Sequence, residues 1–95
     1  MRGVLTTFDP AVAWQLDPHV ALRPEPFGAL AYHYGNRRLT FLRAPELVEL
    51  VSGLADHASV DDALAASAIP ADRWPAFRRA LASLAGSEVI RARAD

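Results

Sequence analysis

The chain contains no cysteine and no lysine, so all ten of its basic residues are arginine. Without cysteine there is no disulfide framework, no thiolate nucleophile and no protein ligand set for an iron–sulfur cluster or a Cys-type zinc site. No apolar run approaches the roughly 18 residues that a membrane span needs, and the N-terminus lacks a basic stretch followed by an apolar one. A cytoplasmic location is the expectation. His19, His33 and His57 are widely spaced and form no HxxxH or HExxH pattern, and the five glycines make no phosphate loop. Ser52, Ser59, Ser67, Ser83 and Ser87 stand in no nucleophile-elbow context, and the adjacent Asp61 and Asp62 point in different directions, as in the first turn of a helix. Neither an enzyme nor a metal or cofactor site is expected. A formal net charge of -1 argues against a general nucleic-acid binder, which draws its affinity from a basic surface.

With 95 residues, 52% of them hydrophobic and 22% charged, the composition is that of one globular domain. A chain of this size buries only about 60–65% of its unfolded surface, which leaves little room for a deep substrate cavity beside a stable core. The organisation expected is an N-terminal arm over residues 1–18 and a folded domain over 19–95. In the arm, Asp9-Pro10 and Asp17-Pro18 are turn signals around Phe8, Val12, Trp14 and Leu16. Such an arm either lies over the core by its aromatics or docks a partner.

A first strand fits His19–Arg23, ended by Pro24 and Pro26, which cannot donate to a ladder. A second fits Ala29–Tyr34 and a third Arg37–Arg43, joined by a tight turn at Gly35-Asn36, residues that tolerate positive φ. That loop sets the register: Tyr32 faces Leu39 and Leu30 faces Phe41 on one side, with Tyr34 opposite Arg37. His33 faces Arg38 and Ala31 faces Thr40 on the other. The first, bulkier set is expected to face the core, so Phe41→Ala should perturb folding.

From Ala44 the period becomes helical. Pro45 suits a first helical position, and Leu47, Leu50, Val51 and Leu54 make one stripe. Ser59 with Asp62 resembles a capping box for a short second helix. A third helix is placed after an N-cap at Asp72, with Pro75 in its first turn, Trp74, Phe77, Leu81 and Leu84 as its stripe, and Gly86 as its C-cap. Val89 and Ile90 form an extended tail. The fold class is therefore α+β: a three-stranded antiparallel sheet followed by three helices that cover one face, in the order β-β-β-α-α-α.

The third strand then has one edge with no partner, and Arg37, Arg38 and Arg43 lie along it. Positive charge blunts an open edge against promiscuous pairing. The same edge can accept an extended peptide as an added strand, with arginine selecting acidic residues in the guest. Phe77, Arg78 and Leu81 of the third helix, with Trp74, are candidates to wall a groove beside Leu39, Thr40 and Phe41, although helical spacing alone makes Trp74, Phe77 and Leu81 core residues.

The run "LDPHVALRPEPFGALAYHYGNRRLTFLRAPELVELV", residues 16–51, resembles the family of peptide-binding chaperones of mycofactocin biosynthesis, relatives of the small protein with the same role for pyrroloquinoline quinone. The specific marks are "RPEPFGALAYHYGNRRL" and "FLRAPELVELV"; residues 1–15 carry little of the likeness. The resemblance implies a winged-helix-like precursor-peptide recognition domain without chemistry of its own. It implies a partner leader peptide, and a radical S-adenosylmethionine maturase acting on the C-terminal Val-Tyr of the precursor. The guest would run along Arg38, Leu39, Thr40, Phe41 and Leu42 and face Phe77, Arg78 and Leu81. Two other readings remain beside it, a winged-helix DNA binder and a purely structural subunit. In the DNA-binding use a basic hairpin commonly follows the recognition helix, whereas here it precedes all three helices. The oligomeric expectation is a monomer or a weak homodimer through the third strand.

Overall fold

The structure is a computed structural model, and it describes residues 8–93. The elements run β1 (Trp14–Leu16), β2 (Val20–Glu25), β3 (Gly28–His33), β4 (Leu39–Leu42), α1 (Pro45–Ser52), α2 (Val60–Ala66), α3 (Trp74–Gly86) and β5 (Ile90–Ala92). Single 3-10 turns at Leu54–Asp56 and Ala71–Arg73 follow α1 and precede α3. Strands β2, β3 and β4 form an antiparallel sheet in that order, and the three helices follow it, as expected for the α+β class. A second sheet of two strands, β1 and β5, was not expected. It pairs Trp14 with Ala92 and Leu16 with Ile90, so residues 14–16 belong to the folded unit, with Trp14 in its core.

The expected register holds: Leu30 pairs with Phe41, Ala31 with Thr40 and Tyr32 with Leu39. The expected core face does not. Ala29, Ala31 and His33 of β3 and Leu42 of β4 are buried, while Leu39 is 56% and Phe41 49% exposed. The reason is the approach of α1, which packs against β3 and β4. Helix and sheet come together over the alanine side chains, so the small residues of β3 face inward and the bulky ones outward. Apolar size had pointed to the wrong face.

Strand β2 also runs further than expected. Pro24 lies inside it, opposite Ala29, because β2 is an edge strand and the missing N–H falls on the side without a neighbour. Gly28 opens β3 at φ 147°, and a Cβ there would drive into the Leu42 carbonyl, so the β2–β3 corner needs glycine for both torsion and space.

Each expected helix forms. α1 buries Leu47, Leu50 and Val51, and Leu54 of the following turn joins them. In α2 the Asp62 N–H donates to the Ser59 hydroxyl at 3.0 Å, satisfying an otherwise orphaned donor. α3 buries Phe77, Leu81 and Leu84, and carries Pro75 in its first turn. It starts later than the Asp72 cap implies: Asp72 lies in the preceding 3-10 turn and Arg73 is the N-cap, without a side-chain bond. Gly86 is the last helical residue and Ser87 the cap.

Neighbouring residues of β4 now separate the two faces. Leu42→Ala empties a fully buried site and should cost about 2–5 kcal/mol, whereas Phe41→Ala, on the outer face, should cost less than about 1 kcal/mol. Urea denaturation of the two variants measures this, and equal losses would contradict the face assignment.

Candidate functional site

The β3–β4 connection positions the free edge. It is a four-residue loop, Tyr34 to Arg37, closed at its base by the Arg37 N–H donating to the His33 carbonyl at 2.8 Å and the His33 N–H donating to the Arg38 carbonyl at 3.0 Å. Positive φ falls on Arg37, at 64°, rather than on the Gly35-Asn36 pair expected to need it. Tyr34 and Arg37 accordingly lie in the loop and form no ladder pair. Gly35 serves another purpose, since a Cβ there would come within 2.8 Å of the His33 ring. The imidazole fills that space: its Nδ1 accepts from the backbone N–H of Gly35 at 2.9 Å and of Asn36 at 3.1 Å. The Asn36 side chain completes the loop, accepting from the Arg38 N–H at 2.9 Å and donating to Glu88 at 3.2 Å.

Asp17 and His19, two residues apart, meet the distant His33 here with ligand atoms within 4.8 Å of one another. Because Nδ1 of His33 accepts two bonds, the neutral ring carries its proton on Nε2, which faces Asp17 at 3.6 Å. A metal at Nε2 would force the proton onto Nδ1, against two N–H donors, so the donor set does not suit a cation. The cluster is better described as a strut between the β1–β2 and β3–β4 turns. Burial opposes ionisation of Asp17, but the hydrogen bonds from the His19 backbone and ring, with the attraction of His33 and His19, together outweigh it and hold the carboxyl below its usual range.

Strand β4 is an edge: no strand among the described residues pairs on its far side. In an antiparallel ladder alternate residues turn their backbone groups to the neighbour, and the His33–Arg38 bond sets the phase. The N–H and C=O of Leu39 and Phe41 therefore point to the open side. Beside this edge lies a cleft of about 230 Å³ between the β4–α1 junction and α3, lined by Arg43, Ala44, Leu47, Ala76, Phe77 and Ala80. Guanidinium groups stand over two aromatics nearby: Arg43 lies 5.2 Å from the ring centre of Phe41 on the outer face, and Arg73 lies 5.1 Å from that of Phe77 in the cleft. Arg73 also reaches Glu46 of α1 at 3.6 Å.

Of the residues expected in the site, Arg43 and Phe77 line the cleft, and Leu39, Thr40 and Phe41 form the edge beside it. Arg37 and Arg38 are exposed at the start of the edge, and Leu42 turns into the core. The other helix residues sit elsewhere. Leu81 is fully buried, Trp74 donates its indole N–H to the Ile69 carbonyl at 2.9 Å, and Arg78 is held by Asp61 at 2.9 Å, joining α3 to α2. The wall is built instead by Ala76 and Ala80, one turn apart. Their contribution is absence of bulk, which no apolar stripe announces.

The strut makes a pH prediction. A carboxylate whose folded-state pKa is depressed contributes stability that is complete above the unfolded value, near 3.9, and is lost as pH falls through the folded one. Asp17→Asn should therefore lower the urea midpoint at neutral pH, with the difference from the parent shrinking below about pH 4. A difference that stays constant down to about pH 3 would remove the ionised carboxylate from this role.

Comparison with known proteins identifies the family of the chain. The sequence profile described as the peptide chaperone MftB family matches residues 13–91. The chain is 46% identical over 84 residues to the peptide chaperone MftB of Mycolicibacterium smegmatis, covering 88% of this chain and 82% of that one. It is 40% identical over a 102-residue alignment to the protein of the same name from Mycobacterium ulcerans, covering 95% and 94% of the two chains. For that of Mycobacterium tuberculosis the identity is 41% over 89 residues, covering 94% and 82%. No solved structure matches the chain. The chain belongs to the peptide chaperone MftB family.

Proposed function

We propose that this protein binds the leader of the mycofactocin precursor peptide as an added strand on β4 and presents it to a radical S-adenosylmethionine maturase, without carrying out chemistry itself. The observation that carries the reading is the open β4 edge beside an apolar cleft, in a member of a peptide chaperone family. An incoming strand bonds to the backbone of Leu39 and Phe41. Its side chains alternate, one set turning toward Ala76, Phe77 and Ala80 and the other lying along the outer surface of Leu39 and Phe41. Arg38 and Arg43 favour carboxylates in the guest, and the exposed guanidiniums discourage pairing with unselected strands.

A flexible leader loses conformational entropy on becoming a strand. A few backbone bonds and two or three apolar anchors then give affinity on the order of 0.1–10 μM, weak enough to permit handover. Holding the leader also raises the local concentration of the segment to be modified, once chaperone and maturase are docked together.

Calorimetry with the isolated leader tests the reading. Ala76→Trp fills the cleft from an exposed position and should weaken binding about tenfold or more with little change in stability. Arg38→Glu should weaken it by charge reversal while leaving the fold intact. In amide exchange, leader should newly protect the Leu39 and Phe41 amides. Unchanged affinity in well-folded Ala76→Trp, together with no new protection on β4, would refute strand addition at this edge.

A further inference from the structure

The half of the sheet that the helices do not cover is apolar. Across the three strands its side chains form two rows, Arg23–Leu30–Phe41 and Ala21–Tyr32–Leu39, with Phe27 and Tyr34 at the two ends. Phe27 packs on Phe41 at 5.7 Å and Tyr32 meets Tyr34 edge-on at 5.2 Å, so the rings pair within the face. Phe27, Tyr34, Leu39 and Phe41 are all exposed. An antiparallel sheet with one face on the core normally turns a polar face to water. This one turns two leucines together with tyrosine, phenylalanine and arginine, the last three being types enriched at protein contacts.

Charge identifies the kind of partner. Residues 19–43 hold Arg23, Arg37, Arg38 and Arg43 against the single carboxylate Glu25, and Glu25 is bonded to Arg23 at 2.8 Å. Residues 44–86 hold six carboxylates against three arginines. A second copy set face to face would oppose arginine to arginine, and face to back would make a heterologous contact that yields a ring or a filament rather than a closed pair. The guest strand proposed for β4 reaches only the Leu39–Phe41 margin, because Leu30 and Tyr32 lie one strand further away, about 4.8 Å, and Ala21 and Arg23 two. Single-stranded nucleic acid requires open ring faces to stack on, whereas Tyr32 and Tyr34 pack edge to face and Arg43 lies over Phe41.

We propose that this outer sheet face docks a folded protein presenting apolar side chains inside an acidic rim, the protein that receives the bound peptide. The proposal rests on the chaperone reading for the partner's role, but it uses a surface distinct from the cleft. Edge and face meet at Leu39, Phe41 and Arg43, so a guest on β4 lies along the border of the docked surface, and one small domain holds peptide and recipient side by side.

The test uses the full chain, the purified radical S-adenosylmethionine maturase and the isolated leader, with both affinities measured for each variant. Tyr34→Glu and Leu30→Glu should each weaken maturase binding about tenfold or more and leave leader binding within about twofold. Ala76→Trp should do the reverse. Tyr34 is 64% exposed in a loop, so Tyr34→Glu decides the matter if Leu30→Glu fails to fold. Unchanged maturase affinity in Tyr34→Glu overturns the proposal, as does wild-type protein that does not bind the maturase at all. Loss of both affinities in folded Tyr34→Glu also overturns it, since the face would then be part of the peptide site. Loss of maturase binding in Tyr34→Glu, with Ala76→Trp leaving leader binding intact, supports the docking face and refutes the cleft. A dimer that Tyr34→Glu dissociates, or salt-sensitive oligothymidylate binding that it abolishes while maturase binding persists, assigns the face to another occupant and overturns the proposal.

Discussion

The close packing of α1 on β3 over Ala29 and Ala31 is the constraint from which the remaining architecture follows. Side chains alternate along a strand, so one choice of inward residues decides the fate of every other. With alanine inside, the helix approaches the sheet and the core is completed by Leu42 and the apolar stripes of α1 and α3. With the bulky residues outside, the sheet presents its aromatics to solvent. The fold thus forgoes the burial of Leu39 and Phe41, each a large apolar group that would have strengthened a small core. An exposed aromatic face on so small a domain has a cost in stability and solubility.

The edge strand has a second support. β4 is four residues long and is paired on one side, so its position depends on the loop before it and the helix after it. The loop is held from inside by the His33 ring, from outside by Asn36 bonding to Glu88, and from the β1–β2 side by Asp17. In the proposed binding mode, such an arrangement presents the backbone groups of Leu39 and Phe41 in place beforehand, which lowers the ordering cost of association.

The sequence reveals much of this scaffold because its signals are local. Strand, turn and helix order, the β3–β4 register, the Ser59 cap and the stripes of α1 and α3 all follow from periods and short-range chemistry. What escaped depends on distant partners. The inward face of β3 cannot be read from β3 alone, since apolar size favours Tyr32 and Leu30 while the helix selects Ala31 and Ala29. β1 and β5 are three residues each, too short for a period, and among the described residues pair only with each other, from opposite ends of the fold. The Asp17–His33 contact joins two turns that no spacing rule connects. The cleft was legible at the end of β4 through Arg43 and on α3 through Phe77, but Ala76 and Ala80 carry no mark of their own.

The β1–β5 pair also bears on how the domain assembles. The β2–β3–β4 sheet and the helices are built from contacts between near neighbours in sequence, whereas matching Trp14 to Ala92 closes a loop spanning most of the molecule. Loop-closure entropy grows with separation, so this pairing is the non-local step and gains most once the intervening elements have brought the two segments together. Val89 and Ile90 enter the core at that same step. The two short strands therefore act as a clasp, fastened late, whose opening would expose core side chains at both ends of the described chain at once.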